Sequence, residues 1–180
     1  MGVKGLRISA LLALVAGLVA LSLPAVATSS SSHDKVALSS LESGVLQQLN
    51  QIRADHHLLP LTLSTPLTIA SKQHSTEMAD DGYFQHTSHD GTAFWKRIGH
   101  WYSDGSFQYW AVGENLLWSS PDVSASGALD MWMKSPPHRA NILATSWREI
   151  GISAVHVAAA PGAFDGRPVT IITTDFGVRR

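Results

Sequence analysis

The sequence predicts an α+β fold in which an antiparallel sheet packs against helices. Two observations predict it. Apolar residues recur at helical spacing through the first half of the chain, and two β-branched, alternating segments, 149–160 and 169–178, close it as a hairpin. A third observation says how such a fold must be stabilised: there is no cysteine, so a packed core replaces disulfides, and six tryptophans suit that demand.

Residues 1–27 read as a signal peptide. Lys4 and Arg7 precede an apolar run over 8–23, and Pro24-Ala25-Val26-Ala27 has the small-residue pattern of cleavage after Ala27. The run is roughly 16 residues, short of the about 20 that a spanning helix needs, and no later segment could span a bilayer. The expected location is therefore secreted and extracellular, or periplasmic and envelope-associated. Residues 28–36 form a polar leader expected to be disordered. Of the 180 residues, about 150 remain after cleavage, enough for one domain with an ordinary core, and a monomer is expected. Thirteen Lys+Arg face fourteen Asp+Glu, and Lys4 and Arg7 leave with the signal, so the mature chain is mildly acidic and offers nothing for nucleic acid.

Each element follows from local pattern. Leu38, Leu41, Val45, Leu49 and Ile52 mark one face of a helix that ends near His56. After a connector at 58–61, Thr65 and Pro66 read as cap and first residue of a second helix, which Gly82 stops after Asp81; its inner stripe is Leu67, Ala70, His74 and Met78. Residues 82–91 are a loop and 92–100 a short helix. Residues 107–117 read as a short strand entering a turn at Gly113, and Ser120-Pro121 as the start of a helix through Lys134. In the stretch 132–143, WMKSPPHRANIL, the prolines end that helix and Ser135 caps a new one carrying His138 and Arg139, so that the imidazole is re-aimed toward a cleft.

Nine histidines call for sorting. His74 belongs to the core, His33, His56, His57 and His100 lie in the leader or at element ends, and His156 points off the apolar face of its strand. His86, His89 and His138 remain. His86 is the natural second imidazole for His138, and Glu114, flanked by Val112, Leu116 and Leu117, is a carboxylate that needs a partner. Such a set serves either a divalent metal or a hydrogen-bonded network. HExxH, CxxC and G-x-S-x-G are all absent. Asn50 and Arg53, at i and i+3, are expected to tie the first helix to a loop, and Asn115 and Asn141 to satisfy turn backbone.

His86 within FQHTSHDG, Glu114 within VGENL and the 132–143 stretch, followed by Ile150-Gly151-Ile152 and Asp175-Phe176-Gly177, resemble the CAP superfamily of cysteine-rich secretory, antigen 5 and pathogenesis-related 1 proteins, in a short, cysteine-free bacterial form. The resemblance implies a CAP/SCP domain over 37–180, built as a three-layer α-β-α sandwich with a central antiparallel sheet and an open cavity. It also implies that His86, His138 and Glu114 line that cavity and ligate a divalent cation, zinc first. Met133, Lys134 and Ser135 stand where the family carries its second glutamate, and His89 or Asp90 are the nearest substitutes.

On this reading the protein is a secreted, non-catalytic domain that binds a lipid- or sterol-like molecule, another small molecule, or a protein or cell-surface partner in a cleft centred on His86, Glu114 and His138. Two alternatives stand beside it. One is a hydrolase, protease-like, using Glu114 with a histidine or a metal-bound water. The other is a cell-envelope interaction module in which the polar cluster only stiffens the fold.

Overall fold

The computed structural model describes residues 37–180; the expected signal peptide at 1–27 and leader at 28–36 lie outside the described residues. Among the described residues, helices and strands follow in the order α1 (Ser40–Asp55), β1 (Thr62–Leu63), α2 (Thr65–Asp81), α3 (Phe94–Trp101), β2 (Trp110–Ser119), α4 (Ala125–Lys134), α5 (Pro136–Leu143), β3 (Glu149–Val157) and β4 (Val169–Arg179), with a 3-10 turn at Gly162–Phe164. The sheet order is β1-β3-β4-β2. β3 and β2 flank β4 antiparallel, whereas the two-residue β1 joins β3 in parallel, so the sheet is mixed rather than purely antiparallel.

Both faces of β4 are covered, which makes it the middle of three layers. Ile172, Phe176 and Val178 pack with Val45 and Leu49 of α1, Leu129 and Trp132 of α4 and Ile142 of α5. The alternate residues face α2: Thr173 accepts from Ser75 and Asp175 from Ser71. Gly151 of β3 lies against that helix, where a Cβ would come within 2.1 Å of the Leu67 carbonyl carbon.

Local chemistry accounts for most element ends. Ser39 and Glu42 form a capping box on α1, and the other oxygen of Glu42 accepts the Ala154 N–H at the edge of β3. α2 begins at Thr65 with Ser64 as its cap, one residue earlier than expected, and ends as expected at Gly82, whose φ of 69° is the left-handed stop. α5 starts at Pro136, immediately after the break at Ser135. Asn50 and Arg53 do tie α1 to its surroundings: Asn50 exchanges two hydrogen bonds with the Leu61 backbone, and Arg53 donates to the carbonyls of Leu59, Ile142 and Ala144.

Two expectations are corrected. Gly113-Glu114-Asn115 is not a turn but the middle of β2, where the three residues pair with Phe176, Asp175 and Thr174 of β4. Gly113 is small because the Trp147 ring would lie 2.9 Å from a Cβ there, not because the chain turns. The helix expected from Ser120 begins only at Ala125, with Ser124 as the cap that accepts the Gly127 N–H. Residues 120–121 are held to the start of β4 instead, Ser120 donating to the Pro168 carbonyl and Thr170 to that of Pro121. Among the described residues no helix is long and apolar enough to cross a membrane.

Candidate functional site

Glu114 enters the site because alternation along β2 turns it toward α2 and α3 while Asn115 turns toward α5. Its side chain is fully buried, which requires compensation. Arg97 of α3 supplies it: Nη2 donates to Glu114 Oε2, while Nη1 donates to the His86 carbonyl at 3.0 Å and to Ser88 Oγ at 3.1 Å. The guanidinium thus pins the 86–88 loop and the β2 carboxylate with one planar group.

His86, half exposed, meets the remaining oxygen: Nδ1 lies 2.8 Å from Glu114 Oε1. A carboxylate only accepts, so Nδ1 is the donor in this bond. His138 is the first-turn residue that the proline break re-aims, and its own carbonyl is held by Asn115 Nδ2 at 3.0 Å. Burial, followed by the neighbouring His86, pushes the His138 imidazole below the ordinary value of 6.5, which keeps it neutral at neutral pH. The structure therefore joins His86 and Glu114 directly and sets His138 beside them around the outer edge of β2.

That edge is closed by side chains from α4 and α5. Trp132 Nε1 donates to the Leu116 carbonyl, and Asn141 Nδ2 donates both to the Glu114 carbonyl and to Asn115 Oδ1. Asn115 and Asn141 thus satisfy strand and helix-end backbone rather than a turn. Beside them lies a groove of about 270 Å3, lined by Phe84, Leu116, Trp118, Met131 and Trp132 together with the polar Ser135 and His138.

His89 and Asp90 do not join the cluster. His89 stacks on Tyr83 and lies 3.7 Å from Asp81, and Asp90 accepts the Thr92 N–H. Arg139 lies exposed. Among the described residues no group of three or more His, Asp or Glu side chains comes together in a way that could hold a metal ion.

Arg97 and Asp175 are the site residues that sequence reasoning passes over. Each leaves a signal: Arg97 falls on the Phe94, Ile98 stripe of its helix, and Asp175 is the lone acid in a strand rich in β-branched residues. Asp175 faces Glu114 across the strand pair, is fully buried, accepts from Ser71 at 2.9 Å and leaves Oδ1 without a partner among the described residues. Burial, followed by the charge on Glu114, pushes its carboxyl well above the usual range of about 3.8. His74 lies beneath, its Nε2–H donating to the Gln85 carbonyl at 2.9 Å, and burial pushes its ring below the ordinary histidine value.

A family model described as the cysteine-rich secretory protein family, CAP, matches residues 46–164. The uncharacterized membrane protein YlbC of Bacillus subtilis (strain 168) is 27% identical over 111 residues, which cover 62% of this chain and 30% of that protein. The chain thus spans less than a third of that relative's length. In structure the chain is similar to an outer surface protein of Borrelia burgdorferi, with a TM-score of 0.63, 18% identity, and coverage of 81% of this chain and 97% of that one. It is also similar to an extracellular protein containing an SCP domain from Bacillus anthracis, with a TM-score of 0.56, 25% identity, and coverage of 81% and 45% respectively.

Proposed function

The chain belongs to the cysteine-rich secretory protein family, CAP, and from that premise we propose that it is a secreted, non-catalytic binding domain whose β2 groove takes a lipid- or sterol-like molecule. The observation that carries this reading is the groove of about 270 Å3 itself: its walls are mostly aromatic and aliphatic, and Ser135 and His138 are the polar residues among them. A mainly apolar molecule with a polar group matches that composition. Met131, 49% exposed, has the apolar surface such a ligand would cover. Secretion is supported by the charged, apolar and small-residue pattern of 1–27 and by the extracellular relative from Bacillus anthracis.

Catalysis is disfavoured by the state of Glu114. Both its oxygens already accept, one from Arg97 and one from His86, and its side chain is 0% exposed, so an attacking water has no access to it. The same engagement limits metal affinity. A divalent cation, zinc first, would find its donors in His86 Nε2 and the His138 ring, with the guanidinium of Arg97 beside the only carboxylate of the set. Such an ion is held weakly.

Titration with cis-parinaric acid, a fluorescent polyene fatty acid, tests the groove. Fluorescence should rise on binding to the parent chain and fall away in Met131→Lys; equal enhancement by both chains sinks the reading. Calorimetry with zinc tests the ion: heats present in the parent and lost in His138→Ala support a two-histidine site, and identical heats remove it.

A further inference from the structure

We propose that the pocket between α2, the 88–92 loop and α3 is a saccharide-binding site, distinct from the β2 groove. The pocket measures about 390 Å3, within the usual range for small-molecule sites of about 300–1,000 Å3. Every residue that lines it is polar, which excludes the kind of ligand the β2 groove suits.

Charge narrows the class. Glu77 and Asp90 on the lining face the ammonium of Lys96, and the charge of Arg97 is spent on Glu114. A ligand of one sign would meet opposing groups on both sides. A neutral molecule rich in hydroxyls finds donors and acceptors together. Several of the lining groups have one hydrogen-bonding position used and another open. Gln73 Oε1 accepts from Trp101, which leaves its amide nitrogen to donate. Ser88 Oγ accepts from Arg97, which leaves its own proton to donate, and Asp90 Oδ1 takes the Thr92 N–H, which leaves Oδ2 to accept.

A further observation points to a ligand. Trp101 stands beside the pocket, 41% exposed, with its indole N–H fixed on Gln73 at 2.7 Å and its ring set edge-on to His100 at 5.0 Å. An exposed aromatic ring held in one orientation is a ready platform for the C–H face of a pyranose, whose hydroxyls then reach the polar wall.

Calorimetric titration of the full chain with cellotriose, maltotriose and tri-N-acetylchitotriose, and separately with glycine, tests this. At least one trisaccharide should bind and glycine should not. Trp101→Ala and Gln73→Ala, both at exposed positions, should each melt like the parent and bind that sugar about tenfold more weakly or worse. Binding by none of the three sugars, unchanged affinity in both variants, or binding of glycine alone would overturn the proposal.

Discussion

Glu114 and Asp175 stand directly opposite each other in β2 and β4, on the sheet face that α2 covers, and Arg97 is the guanidinium bonded to the pair, through Glu114. Two ionised carboxyl groups buried side by side repel, so one of them keeps its proton. Asp175 is that one: its contacts are a serine hydroxyl and an oxygen left without a partner among the described residues, whereas Glu114 accepts from both Arg97 and His86.

The first prediction concerns pH. Unfolded, Asp175 releases its proton near the ordinary value of 3.8, whereas in the fold it holds the proton to higher pH. The folded state therefore binds more protons above that point, and stability is lost as pH rises through the folded value. Asp175→Asn has no proton to lose. Urea midpoints of parent and variant should match near pH 4 and separate in favour of the variant by pH 8. A difference that stays constant across that range contradicts the assignment.

The second concerns the ion pair. Removing one partner of a buried pair leaves the other charged and unmatched, which costs about 3–5 kcal/mol. Arg97 and Glu114 are 2% and 0% exposed in their side chains, so Arg97→Met should fall in that range. Neutralising the orphan should restore part of the loss, and Arg97→Met with Glu114→Gln should be more stable than Arg97→Met alone. Urea denaturation of the three chains decides it, and a double variant no better than the single one tells against a paired charge.

The third concerns the contact of α2 with the sheet. A Cβ on Gly151 would lie 2.1 Å from the Leu67 carbonyl carbon and 2.3 Å from the Thr68 nitrogen, both backbone atoms that no rotamer change can move. Gly151→Ala should therefore cost about 3 kcal/mol or more and lower Tm by roughly 10 °C. A shift of only a degree or two would mean that the helix can slide away freely.

The candidate site was legible in part. His86, Glu114 and His138 stand out in the sequence because each sits in a short segment with its own local logic: a turn-rich loop, an acid among apolar residues, an imidazole after two prolines. The turn read at Gly113 fails for a physical reason. Glycine and asparagine are common in turns, but Gly113 makes room for Trp147, and Asn115 joins β2 to α5; both partners are distant in the chain. Arg97 escapes for the same reason, since nothing near it in sequence says that Glu114 is its counter-charge.

Local pattern alone determined the end of α2 at Gly82, the break between α4 and α5, the closing hairpin and the family resemblance, because caps, prolines and periodicity act over a few residues. Tertiary structure decided the chemistry. It put a guanidinium on Glu114, raised the carboxyl of Asp175 above its ordinary range and set an apolar groove beside β2. Those outcomes depend on which charges share a low-dielectric interior, and that is set by the packing of α2 and α3 on the sheet rather than by any neighbouring residue.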